Sequence, residues 1–171
     1  TALDLIYPGH KMRVAPYLSR FSIVCLGLVF FQILVGGFVA GLNAGFIYND
    51  WPTMGGGFVP DDIFHMTPWY HNFLENVATI QFTHRMVAYL VFAAVIGLFV
   101  GSRKAKLQGR TLKVTHFFLA ALFAQVLIGI WTLVSVVPVS LGALHQAGGM
   151  IVLGLAVATV HSFYRDAEIT K

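Results

Sequence analysis

The sequence predicts an all-α integral membrane protein, a four-transmembrane-helix bundle built from two repeated helical hairpins. Three observations carry that prediction. The chain is 57% hydrophobic and only 11% charged, against roughly 25% charged in a soluble domain. Four apolar stretches, Phe21–Leu42, Ile80–Gly101, Val114–Val137 and Leu141–Tyr164, are each long enough to cross a ~30 Å hydrocarbon core at ~1.5 Å per residue. Finally, a pattern of Gln-apolar-Leu-apolar-Gly occurs twice, as Gln32-Ile33-Leu34-Val35-Gly36 and Gln125-Val126-Leu127-Ile128-Gly129. Each copy is followed by an apolar segment with a histidine near its start, His84 in Gln81-Phe82-Thr83-His84-Arg85 and His145 in Ala143-Leu144-His145-Gln146-Ala147-Gly148. Two hairpins in one orientation imply a pseudo-two-fold axis along the membrane normal.

Taken in order, residues 1–20 form an inner-side segment with Lys11, Arg13 and Arg20. The first apolar stretch begins only after these twenty polar-containing residues and lacks a small-residue cleavage site, so it does not read as a signal peptide. The chain opens on Thr1, which implies a processed product or part of something longer. The membrane domain spans 21–164, and its first helix carries the lone cysteine, Cys25, read as a small apolar packing residue. An outer loop of 43–79 follows, with Asp50, Asp61, Asp62 and Glu75 but neither Lys nor Arg. After the second helix, the inner loop of 102–113 holds Arg103, Lys104, Lys106, Arg110 and Lys113. The third and fourth helices complete the bundle, and the inner-side tail of 165–171 carries Arg165 and Lys171. Positive charge gathers on the cytoplasmic or matrix side, so both termini and the second link are expected there and the long loop outside. The net charge of +4 then reflects topology and contact with anionic membrane lipid, with no nucleic acid as partner.

The second and fourth helices run the same way, so His84 and His145 sit at matching depth, roughly 6 Å below the outer boundary. In an up-down bundle these helices are diagonal neighbours. Ionisable groups inside a membrane are rare and generally face the interior. Two opposed imidazoles there suit one planar metal cofactor, with haem as leading candidate and the pair as its axial ligands. The plainer reading has each imidazole hydrogen-bonded to a neighbouring helix and binding nothing. A rival pair is His116 and His161 near the inner face, unrelated by the repeat. His10, His65 and His71 read as solvated surface residues.

Gly37, Gly41 and Gly45 fall four apart, as do Gly97 and Gly101, while Gly148-Gly149 follow His145 by one turn. Small residues serve close helix contact or leave space for a flat macrocycle. Arg85 adjoins His84, with two readings open: a charge-assisted donor to a haem propionate, or a salt bridge to Glu75 or another acid of the loop. The loop alternates turn formers with aromatics (Tyr48, Trp51, Pro52, Trp69, Tyr70), which suits an interfacial lid over a haem edge or plain anchoring.

These residues resemble the haem A synthase family, in its proteobacterial and mitochondrial style, over nearly the whole chain. Gly37-Phe38-Val39-Ala40-Gly41-Leu42-Asn43-Ala44-Gly45 with Tyr48-Asn49-Asp50-Trp51-Pro52-Thr53-Met54-Gly55 resembles that family's outer-loop signature. Asn72-Phe73-Leu74-Glu75-Asn76 with Gln81-Phe82-Thr83-His84-Arg85 is similar to its first haem-ligand motif. Gly129-Ile130-Trp131-Thr132-Leu133, Val137-Pro138-Val139 and His145-Gln146-Ala147-Gly148 are similar to its second. Members of that branch have eight transmembrane helices in two halves, and the resemblance covers the C-terminal half. It implies one bis-histidine haem b on His84 and His145. The N-terminal half of the family, which holds the haem O substrate and a glutamate beside a ligand histidine, has no counterpart here. Asn43 stands where many relatives carry a charge.

The resemblance thus implies the haem b-binding C-terminal half or subunit of an enzyme that oxidises a methyl group of haem O to the formyl group of haem A. It also implies a complementary four-helix half or subunit as partner, and a mitochondrial inner or bacterial cytoplasmic membrane. An iron held by two histidines has no open position for oxygen, which agrees with that division of labour. The alternative is a non-catalytic b-type cytochrome or structural subunit of a respiratory complex.

Overall fold

The computed structural model describes residues 16–168. The N-terminal segment with His10, Lys11 and Arg13, and the last residues of the tail with Lys171, lie outside the described residues. Four long helices account for most of the chain: α1 Pro16–Gly41, α2 Val77–Lys104, α3 Gly109–Val134 and α4 Val139–Glu168. Each is long and apolar enough to cross a membrane. Among the described residues there is no strand, only an isolated bridge between Met54 and Gly57. Large apolar side chains such as Phe30, Phe31, Leu34, Leu127, Trp131, Met150 and Ile151 stand exposed on the helix faces. That surface suits lipid as its solvent, since a helix satisfies every interior backbone group by itself. The fold is an all-α membrane bundle.

At most of their ends the helices overrun the apolar spans read from the sequence, because hydropathy marks only the part in hydrocarbon. α1 starts five residues earlier at Pro16, where a missing N–H costs nothing. α2 starts at Val77 behind an Asn76 cap whose side chain accepts from the Thr79 N–H at 3.1 Å. α3 stops at Val134, short of the expected Val137. Val136 and Val137 there take φ values of 59° and 50°, and Pro138 cannot extend the helix behind it. Two 3₁₀ turns, Ala44–Phe46 and Trp69–Phe73, shape the long loop between α1 and α2.

Helix α1 packs on α2 and α4, and α3 packs on the same two. That leaves α2 diagonal to α4, as the up-down reading expected. The repeat extends into the core. Leu18, Ser22, Cys25 and Val29 of α1 are buried at the same spacings from Gln32 as Thr111, Thr115, Phe118 and Leu122 of α3 are from Gln125. Likewise Val91, Val95, Leu98 and Ser102 follow His84 as Val152, Ala156, Thr159 and Phe163 follow His145, and all eight are buried. Cys25 is a free thiol within this core. The first buried core residue beyond each histidine, Val91 or Val152, lies two turns away. The apolar core therefore fills the end away from the long loop and leaves the histidine level to polar side chains.

A histidine pair framed by glutamine and glycine repeats

His84 enters α2 two turns after its start, and His145 enters α4 at a similar depth. Both are half-buried. Each ring meets the same two partners from the preceding helix of its hairpin. Gln32 Nε2 lies 3.2 Å from both His84 ring nitrogens and donates to the His84 carbonyl at 3.1 Å. Gln125 Nε2 lies 3.1 Å from His145 Nδ1 and donates to the His145 carbonyl at 2.6 Å.

The glycine of each repeat sits one turn beyond its glutamine, on the same helix face. A Cβ on Gly36 would stand 3.1 Å from His84 Cε1, and one on Gly129 would stand 2.7 Å from His145 Cε1. Glycine thus makes the slot in which each ring lies. The sequence displayed these glutamines and glycines as a repeat, but their task became legible only when the hairpins brought them to the rings. Gly148 serves the same cluster, because a side chain there would collide with the Gln125 amide.

Arg85 is buried one residue beyond His84. It makes no bridge to Glu75, which instead pairs with His71 at 3.1 Å. Arg85 donates through Nη1 to the Thr53 carbonyl at 2.7 Å and through Nη2 to the Tyr48 carbonyl at 3.2 Å. Gln81, one turn earlier, donates to the same Tyr48 carbonyl at 2.8 Å, and Tyr89, one turn later, accepts from Trp51 Nε1 at 3.2 Å. One face of α2 therefore latches the loop from Tyr48 to Thr53 beside His84. Asn49 ties the same segment to α3, donating to the Leu133 carbonyl at 3.1 Å, and also donates to the Gly45 carbonyl. Arg85 Nε remains buried with no partner.

The loop has its own polar core. Asn72, fully buried, donates to the Met66 and Trp69 carbonyls at 3.0 and 2.8 Å and accepts from the Met66 N–H at 3.0 Å. Asp50 accepts from the Gly55 and Gly56 N–H groups at 3.1 and 3.3 Å. Hydrogen bonding, first from Gly55 and then from Thr53 and Gly56, lowers the Asp50 carboxyl to about 2.

The other histidines fall elsewhere. His116 is exposed, bonds the Leu112 carbonyl at 2.8 Å and sets its ring edge-on to Phe99. It lies in an apolar groove with Phe92, Ile96, Leu119 and Phe123. His161 is half-buried on α4. His65 and His71 belong to the loop, as expected, bonded to Asp62 and Glu75 respectively. Among the described residues, no three His, Cys, Asp or Glu side chains converge as a metal cluster. Of the glycine stripe, Gly37 and Gly41 are open on α1, in a groove with Leu34, Phe38, Leu42 and Leu74. Gly45 departs from the stripe and packs against Val137, while Gly97 and Gly101 take Phe21 and Leu18 of α1.

Comparison with known proteins follows the same lines. The chain is 47% identical to the haem A synthase of Parvibaculum lavamentivorans over 161 residues, 94% of this chain and 45% of that protein. It is 39% identical to the haem A synthase of Nitrosospira multiformis, over 96% of this chain and 47% of the relative. It is also 39% identical to haem A synthase COX15 of Bos taurus, over 96% of this chain and 41% of the relative. The chain spans about half the length of the curated relatives it matches. No solved structure matches it. Residues 1–157 match the family model described as cytochrome oxidase assembly protein, and the chain belongs to that COX15-CtaA family.

Proposed function

We propose that this chain is the haem b-binding half of a haem A synthase, the oxidoreductase that converts a methyl group of haem O to the formyl group of haem A. His84 and His145 are its candidate axial ligands. The observation that carries this reading is the matched pair of imidazoles on diagonal helices, each in a slot that a single Cβ at Gly36 or Gly129 would fill. Imidazole nitrogens inside an apolar bundle form the donor set that haem iron takes. When bound between two histidines, haem b supplies one-electron transfer.

The chain's own residues divide the remaining work. The glycine slots set ring position, and the Tyr48–Thr53 loop covers the side of α2 next to His84. Arg85 Nε, left over after the guanidinium has anchored the loop, is assigned to a propionate carboxylate. The basic link between α2 and α3 faces the cytoplasm or matrix with both termini, while the loop with Asp50 faces out. A complementary four-helix half with haem O as substrate completes the enzyme.

The reading is tested by a reduced-minus-oxidised spectrum of the purified membrane protein. His84→Ala or His145→Ala abolishes the low-spin six-coordinate signature, while His116→Ala and His161→Ala preserve it. An unchanged spectrum in His145→Ala overturns the assignment.

A further inference from the structure

The two glutamines are the part of the repeat that ligation leaves unused. We propose that Gln32 and Gln125 are positioning residues, whose side-chain oxygens accept the Nδ1 proton of His84 and His145 when the imidazoles hold haem iron through Nε2. The inference rests on the two-histidine reading above.

Three observations lead to it. First, the contact is made twice, at equivalent positions of the two hairpins. In both, one amide nitrogen reaches the ring and the carbonyl of the same histidine. The amide thus lies against the imidazole in both hairpins, within reach of its ring nitrogen. Second, both amide oxygens, Gln32 Oε1 and Gln125 Oε1, are buried with no hydrogen-bond partner. Most buried polar atoms are paired, and two orphans at equivalent positions mark one shared requirement.

Third, the chemistry of ligation supplies the missing donor. The amide N–H now faces the ring, so the ring nitrogen acts as acceptor. An imidazole that commits Nε2 to a metal keeps its proton on Nδ1 and becomes a donor there. Turning the amide end for end brings Oε1 to that proton, and the bond to the ring then replaces the one that Nε2 gives to the histidine carbonyl. Such a partner raises the basicity of the ligand and tunes the iron.

The holoprotein tests this with Gln32→Ala, Gln125→Ala and the acceptor-preserving Gln32→Glu and Gln125→Glu. The Ala forms should retain haem about 10–100-fold less tightly and show a raised midpoint potential. The Glu forms should keep haem and shift the midpoint the other way, because a stronger acceptor makes the imidazole a better donor. A purely structural bridge between helices would not reverse the sign. Should the Ala forms fail to accumulate, the Glu forms decide, and a wild-type midpoint in both overturns the proposal. Loss of the haem signature in His84→Ala and His145→Ala, with wild-type haem retention and midpoint in every glutamine variant, refutes the glutamine role alone. The proton would then go to a backbone carbonyl, as at His116. Retention of the signature in both histidine variants refutes the two-histidine reading and this inference with it.

Discussion

At the scale of single residues, the site is built from absences of side chain as much as from side chains. Gly129 and Gly37 lie on helices of the same kind, yet a Cβ meets His145 at 2.7 Å in one case and nothing within 4 Å in the other. Replacing an interior helical glycine by alanine ordinarily stabilises by about 0.5–1 kcal/mol. Gly37→Ala is therefore expected to raise stability slightly and leave the haem spectrum unchanged. Gly129→Ala must displace the imidazole and should lose most of the six-coordinate signal, read by difference spectroscopy on protein of matched helicity. Asp50 offers a residue-level prediction of another kind. Its carboxyl is held at about 2, below the ordinary 3.8, by the Gly55, Thr53 and Gly56 hydrogen bonds. A lowered folded value means the contribution is fully present above the ordinary value and is lost as pH falls through about 2. Fluorescence of Trp51, in a background with Trp69 and Trp131 replaced by Phe, should stay constant from pH 7 to 4 and change on further acidification. Asp50→Asn should show the altered fluorescence at every pH.

At the scale of elements, the α2 helix works on two faces, presenting His84 to the bundle and Gln81, Arg85 and Tyr89 to the loop. Hydrogen bonds from a charged donor are worth about 1.5–3 kcal/mol each, and Arg85 makes two to loop carbonyls. Arg85→Ala should accordingly free the loop, detected as faster limited proteolysis near Gly55-Gly56-Gly57 with the helices still protected. Charge distribution gives a separate test of how the elements sit in the membrane. A cysteine at Gly56 in a Cys25→Ser background should react with an impermeant reagent added outside, and one at Gln108 only from the cytoplasm or matrix. Reversed labelling would invert the proposed orientation. These elements also show what the sequence made legible. The four spans, their up-down order, the diagonal relation of α2 to α4 and the matched histidines followed from hydropathy and the repeat, because lipid imposes apolar length and duplication imposes symmetry. The partners of Arg85 did not follow, because backbone carbonyls such as those of Tyr48 and Thr53 carry no residue identity. Helix ends were blurred for a related reason, since capping by Asn76 and the positive-φ turn at Val136-Val137 leave hydropathy unchanged.

At the scale of the whole molecule, the pseudo-symmetric bundle has a finished interior and an unfinished surface. Buried positions match between hairpins along the end away from the loop, whereas Gly37 and Gly41 form an open apolar groove of about 390 Å³ with Leu34, Phe38, Leu42 and Leu74. Small residues let another helix approach closely in a membrane, and the relatives are about twice as long as the stretch they share with this chain. On the proposed reading, the groove is the seat for a helix of the complementary half. Under the proposed ligation, two histidines on one iron would leave no coordination position for oxygen, and methyl oxidation would require a second centre. The four-helix unit purified with its pigment and supplied with haem O and reductant should yield no haem A, measured by pigment extraction and mass. Adding the complementary half should restore conversion, and Gly41→Leu should reduce that restoration while leaving the haem b spectrum intact. Robust conversion by the unit alone would overturn the division of labour between halves.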